Sequence, residues 1–146
     1  VMGGVSESEV ALTGRQTMVF RGKLSLENNG GFASVRTQPQ PYGLVGYAGF
    51  QLRVKGDGRR YKLRVRTERT LDGPAYEQAF ETVADSWTTV TLDFQDMAPT
   101  FRGQRLRNFP RLDSDKIRQI SLMIADSQAG PFELEIDWIK AYRMGT

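Results

Sequence analysis

The stretch FQLRVKGDGRRYKLRVRT, residues Phe50–Thr67, decides the fold. Phe50, Leu52 and Val54 alternate with Gln51, Arg53 and Lys55. After Gly56-Asp57-Gly58, the residues Tyr61, Leu63 and Val65 alternate with Arg60, Lys62, Arg64 and Arg66. A period of two with one apolar side marks a half-buried strand. Gly-Asp-Gly between two such runs supplies residues that tolerate positive φ, as a tight hairpin turn requires. The stretch therefore predicts two antiparallel strands with one face in a core and the other face basic.

The same pattern recurs on both sides of it. Met18, Phe20, Leu24 and Leu26 sit two or four apart. Val90, Leu92 and Phe94 form a further run, as do Ile120, Leu122 and Ile124, and Phe132, Leu134, Ile136 and Trp138. With 32–37 and 75–82 the total is about eight strands. Asn28-Asn29-Gly30-Gly31 supplies another turn, and Thr70-Leu71-Asp72-Gly73-Pro74 a longer hairpin loop. Gly30 or Gly31, and Gly56 or Gly58, are predicted at positive φ. Helix is nearly absent: Asp113-Ser114-Asp115 caps one short turn before Ile117. The expected fold is all-β, a jelly-roll β-sandwich of antiparallel strands in a single domain over residues 1–146. Leu63, Leu92, Leu122 and Leu134, each central to an alternating run, are predicted core residues. Residues 38–46 and 95–111 read as loops, the second long and rich in arginine.

Composition removes much chemistry. The 146 residues contain no His and no Cys. Serine triads, thiol nucleophiles, histidine or thiolate metal sites and disulfides are excluded. Gly56-Asp57-Gly58 is followed by Arg59-Arg60 and not by the Gly-Lys-Ser/Thr of a phosphate-binding loop. Glu133, Glu135 and Asp137 alternate along one strand at roughly the carboxylate spacing of an inverting glycosidase, but they read better as a solvated strand face, since such carboxylates flank a cleft from different elements. No enzyme, transition metal or cofactor is expected; a Ca²⁺ held by oxygen ligands stays open. No apolar run approaches the ~20 residues that span a bilayer. The expectation is an intracellular soluble protein, in the bacterial cytoplasm first and the mitochondrial matrix or a plastid next.

The net charge of +3 is small, so its distribution matters more than its size. Arg60, Lys62, Arg64 and Arg66, beside Arg53 and Lys55, make a basic stripe. It serves either to meet an acidic partner or phosphates, or as a solvated face with cross-strand pairs to Glu77, Glu81 or Glu133. Arg102, Arg105, Arg107 and Arg111 lie in the long loop with Phe101 and Phe109. These aromatics either help the arginines bind a ligand or pin the loop to the core. Arg36 shares a face with Phe32 and Ser34, and would need a partner if that face were inward. The partner-binding candidates are thus Arg36, Arg60, Lys62, Arg64, Arg66, Arg102 and Arg105. Charge reversal at Arg64 and Arg102 is expected to leave the fold intact and abolish partner capture. Tyr42, Tyr47, Tyr76 and Trp87 are the candidates for stacking on a sugar.

Several strings together resemble the complex I intermediate-associated protein 30 domain family: VMGGVS at Val1–Ser6, NNGGFASVR at Asn28–Arg36, VKGDGRRYKLR, Tyr76–Phe80, Trp87 before its Thr-rich strand, FRG at Phe101–Gly103, and GPFELEID at Gly130–Asp137. They fall in the family's order and cover nearly the whole chain. Gly3, Gly4, Ser6, Asn29, Gly30, Gly31, Ser34, Arg36, Gly56, Asp57, Gly58 and Arg102 match its positions. The resemblance implies a galactose-binding-domain-like jelly roll and no catalytic residues. It implies a non-catalytic assembly factor or chaperone for a membrane-associated respiratory or photosynthetic complex, its partner a subunit or assembly intermediate. A carbohydrate-binding module and an RNA-binding module are the alternatives. A sugar binder should show two or more coplanar exposed aromatics over a groove, a protein binder an apolar patch with a charged rim, and an RNA binder salt-dependent affinity.

Overall fold

The computed structural model describes residues 7–12, 17–24, 33–68, 70, 73–102, 104–125 and 130–143. Eleven strands run through them: β1 (Glu7–Leu12), β2 (Met18–Leu24), β3 (Ala33–Arg36), β4 (Gly49–Lys55), β5 (Arg60–Thr67), β6 (Ala75–Glu81), β7 (Trp87–Asp93), β8 (Ala98–Phe101), β9 (Gln104–Arg105), β10 (Ile117–Ile124) and β11 (Gly130–Tyr142). They form a five-stranded sheet in the order β1-β2-β11-β4-β7 and a six-stranded sheet in the order β3-β10-β5-β6-β8-β9. Every strand pairing is antiparallel. The turns Asn28–Gly31 and the opening Val1–Ser6 lie outside the described residues.

The alternation works as expected because each sheet turns one apolar side to the other. Phe20, Leu52, Val54, Leu92, Leu134 and Ile136 from the first sheet meet Tyr61, Leu63, Val65, Ile117, Leu122 and Ile124 from the second. The four central leucines, Leu63, Leu92, Leu122 and Leu134, are at most 3% exposed. Phe132 joins the layers, its ring 5.0 Å from that of Phe20 and 6.4 Å from that of Tyr61. Asp113 caps a single 3-10 turn, Ser114–Lys116, by accepting from the Asp115 N–H at 3.1 Å.

Three features depart from expectation. The strands number eleven among the described residues, not eight, because β1 and the short β8 and β9 carry too little alternation to be legible. The segment 95–111 is accordingly not one loop: Phe101 pairs with Gln104 to close a tight β8–β9 hairpin. Finally, Trp138 is not on the apolar side. A bulge between Ile136 and Trp138 places Trp138 opposite Arg53 on the outer face, while Ile139 takes the inward position opposite Leu52. One extra residue in one strand reverses the facing of everything beyond it.

Candidate functional site

The Gly56–Gly58 turn is a structural knot. Gly58 adopts φ +87°. Its N–H donates to Thr82 Oγ1 at 3.1 Å, and the Thr82 hydroxyl donates to the Arg59 carbonyl at 2.6 Å. Asp57 gathers three donors: the Arg59 N–H at 3.1 Å on Oδ1, then the Tyr61 hydroxyl at 3.0 Å and the Glu133 N–H at 2.7 Å on Oδ2. The turn thereby ties the β4–β5 hairpin to β11. A depression of about 380 Å³ lined by Arg21, Gly22, Asp57, Pro131, Phe132 and Glu133 opens over it. Both Asp57 oxygens are engaged, so the depression has no unengaged carboxylate oxygen at Asp57.

The knot imposes a pH dependence. Burial first, then the charge and hydrogen bond of Asp57, raise the Tyr61 pKa far above its ordinary value of 10. Burial raises that of Tyr76 as well. Above pH ~10 the unfolded chain releases phenolic protons that the folded chain keeps, so stability falls as pH rises, by about 1.4 kcal/mol per unit from Tyr61, and Tyr76 adds to the fall in the same direction. Urea denaturation between pH 9 and 11.5 checks this: Tyr61→Phe should flatten the decline by one tyrosine's share. An unchanged slope would mean that Tyr61 ionises as freely folded as unfolded.

The basic stripe stands on the outer face of the six-stranded sheet and is partly paired. Glu77, opposite Arg64, receives Arg64 Nε at 3.0 Å and Lys62 Nζ at 3.3 Å, and Thr100 donates to it at 3.0 Å. Arg60 lies 3.9 Å from Glu81. Of the pairs anticipated, those to Glu77 and Glu81 form. The Arg64 side chain is only 12% exposed, so reversing its charge would press a carboxylate against Glu77. The expectation that such a change leaves the fold intact does not survive this packing.

Arg36 and Arg66 differ. Among the described residues no carboxylate pairs with either. Arg36 is exposed, opposite Ser121, so its face is outward. Arg66 donates to the Gly73 carbonyl at 3.2 Å. Burial, then the charges of Arg64 and Arg36, depress its pKa. Opposite Arg66, Gln119 is 6% exposed, and its side-chain carbonyl has no hydrogen-bond donor among the described residues. Arg105 faces the same way, opposite Thr100. Arg102 sits at the hairpin tip with φ +52°, its guanidinium 5.2 Å from the Phe101 ring. The two loop aromatics separate: Phe109 packs on Tyr76 at 5.9 Å, whereas Phe101 is 40% exposed.

The four stacking candidates do not meet. Tyr76 is 3% exposed and donates to the Pro110 carbonyl at 2.9 Å, which makes it a core residue and corrects its reading as a stacking site. Tyr42 packs against the core and donates to Thr37 Oγ1 at 2.8 Å. Tyr47 has Arg143 over its ring at 4.2 Å. It lines a depression of about 240 Å³ with Ala48, Asp93, Phe94 and Gln95. Trp87 lies on the outer face of the other sheet, with Arg53 at 5.9 Å and Lys55 at 5.8 Å from its ring. The residue missed in the sequence is Trp138 on that same face, with Lys140 4.5 Å from its ring. The signal was present: continuing the inward parity from Trp138 would have buried Lys140.

The acidic row on β11 is tied into its own sheet. Glu135 accepts from the Thr17 hydroxyl at 2.6 Å and pairs with Lys55 at 3.7 Å, and the bulge takes Asp137 out of the alternation. Among the described residues no cluster of three His, Cys, Asp or Glu side chains is placed to hold a metal ion. Among them, too, no helix is long and apolar enough to cross a membrane.

A family model described as Complex I intermediate-associated protein 30 matches residues 1–136. The chain is 28% identical over 135 residues to a Neurospora crassa protein named Complex I intermediate-associated protein 30, mitochondrial, covering 81% of this chain and 49% of the relative. It is 29% identical over 161 residues to an uncharacterized protein of Schizosaccharomyces pombe, covering 97% of this chain and 74% of that one. The chain thus spans about half of the Neurospora relative's length. Among solved structures, a family 11 carbohydrate-binding module of Clostridium thermocellum, in complex with a mixed-linked tetrasaccharide, superimposes with a TM-score of 0.69 at 15% identity, covering 94% of this chain and 82% of the module. That likeness establishes the β-sandwich fold.

Proposed function

The chain belongs to the Complex I intermediate-associated protein 30 family, and on that premise we propose that it is a non-catalytic protein-binding domain that assists assembly of a membrane-associated respiratory complex. Its partner is a subunit or assembly intermediate of that complex, met inside the cell. The observation that carries the reading is the outer face of the six-stranded sheet. Lys62 and Arg64 share one carboxylate there, Glu77, while Arg36, Arg66 and Arg105 stand on the same face without a carboxylate partner among the described residues. Among the described residues the outward positions of these strands carry no aromatic side chain, Phe101 falling one residue out of phase with the outward Thr100, so the strands offer charge recognition and no stacking platform for sugar or base. The absence of His and Cys and the engagement of Asp57, Glu77 and Glu135 in internal contacts support a non-catalytic role.

The hairpin tip extends this face. Arg102 holds a left-handed backbone, which costs a non-glycine residue about 1 kcal/mol. An exposed arginine beside an exposed aromatic is the composition of an interface anchor. Arg102→Asn is therefore expected to raise the melting temperature by about 3 °C, because Asn tolerates this geometry, and to weaken capture of complex subunits from membrane extracts at least tenfold. Undiminished capture would remove the tip from the site.

A second reading rests on the other sheet. Trp87 and Trp138 share its outer face, two aromatics of the kind that stack on sugar rings. If the extract yields no complex subunit while Trp87→Ala abolishes retardation of the protein in a β-glucan gel, the domain is a carbohydrate-binding module.

A further inference from the structure

We propose that the outer face of the six-stranded sheet binds an extended acidic segment of the partner, laid across the strands from Arg36 on β3 to Arg105 on β9. The inference rests on the reading that the partner is a protein, and it names what that protein must present. β3 and β9 are the two edges of this sheet. Five strand spacings separate them, about 24 Å, which an extended segment of about seven residues spans.

The face is built in two registers that favour such a segment. Ser121 lies between Arg36 and Arg64 in one row, and Gln119 is paired with Arg66 in the next. Ala75 and Thr100 pair beyond, with Arg105 opposite Thr100. The buried Ser121, Gln119, Ala75 and Thr100 thus separate the cations, whose own side chains form the surface on which a chain lies. The charges are already arranged: Lys62 and Arg64 close on Glu77, and that one carboxylate is held from three sides. Arg36, Arg66 and Arg105 have no such counter-ion among the described residues. Like charges on neighbouring strands repel; burial first, then the charges of Arg64 and Arg36, depress the pKa of Arg66. Carboxylates placed between Arg36 and Arg66 and at Arg105 relieve the repulsion, and guanidinium groups receive them in bidentate fashion.

The choice of an acidic peptide over a nucleic acid follows from the lack of a stacking ring on this face among the described residues. Binding is testable by fluorescence anisotropy with the intact chain and a fluorescein-labelled peptide of seven glutamates. The peptide should bind, a seven-glutamine peptide should not, and affinity should fall steeply with salt. Arg36→Gln with Arg105→Gln should weaken binding at least tenfold. Lys23→Gln with Arg143→Gln removes as much charge elsewhere and should leave binding within twofold. Equal loss in both pairs, equal binding of the glutamine peptide, or tighter binding of polyuridylate than of the glutamate peptide would overturn the proposal. Capture of complex subunits that persists in the Arg36/Arg105 pair and resists competition by the glutamate peptide would overturn it too, while leaving the protein-partner reading standing. Loss of all capture from extract by the unmodified chain would remove that reading instead.

Discussion

Replacing Asp57 by Ala is expected to lower the stability of the domain by about 4 kcal/mol. The reason is the number and kind of donors it serves. The Tyr61 hydroxyl is at the end of a side chain that is wholly buried, and its bond to Asp57 at 3.0 Å is the contact that satisfies it. The part-buried Arg59 N–H and the Glu133 N–H, whose bond is open to water, lose their acceptor with it. A buried donor left unmet costs about 1–3 kcal/mol, and bonds to a charged acceptor lie toward the upper end. Asp57→Asn retains one acceptor and should cost about half as much. Combining Asp57→Ala with Tyr61→Phe should cost less than the sum of the two, since the second change removes the orphan that the first creates. Strict additivity in urea melts would show that Tyr61 and Asp57 do not act through their mutual bond.

The Asp57 contact also shows where reading the sequence stops. The turn between two alternating strands was legible, because Gly58 needs its left-handed backbone and the flanking residues keep a period of two. That Asp57 reaches across to Glu133 of β11 was not, since nothing local marks a contact over 76 residues. The core followed from alternation wherever a strand runs unbroken, as at Leu63 and Leu122. It failed at Trp138, where a bulge shifts parity, and at β8 and β9, whose pairing depends on the hairpin and not on an apolar face. The candidate site divides along the same line. Membership of Arg60, Lys62, Arg64 and Arg66 in one face is a matter of period and was readable. Which of them are neutralised depends on the cross-strand register with β6: the pairings of Arg60 with Glu81 and of Lys62 and Arg64 with Glu77 separate the engaged cations from Arg36 and Arg66.

Gly56→Val is the second large effect, again about 4 kcal/mol, and it arises from space, not from backbone strain. A Cβ at Gly56 falls on the Thr82 side chain, its Cβ, Oγ1 and Cγ2 alike. Thr82 cannot turn aside. It is β-branched, hence stiff at χ1, and its hydroxyl is fixed between the Gly58 N–H and the Arg59 carbonyl. Making room for Val therefore forces overpacking, at about 1–3 kcal/mol, and breaks one or both of those bonds, at about 1–3 kcal/mol more. The damage reaches the proposed binding face, because Arg59 leads directly into β5 and its basic row. In a Thr82→Gly background the obstacle is gone, so Gly56→Ala should cost less than about 1 kcal/mol there, against several in the parent. Equal cost of Gly56→Ala in both backgrounds would place the conflict in the backbone and not in Thr82. Partner capture measured alongside should fall with Gly56→Ala in the parent but fall no further when the same change is added to Thr82→Gly, whose turn has already lost both hydroxyl bonds.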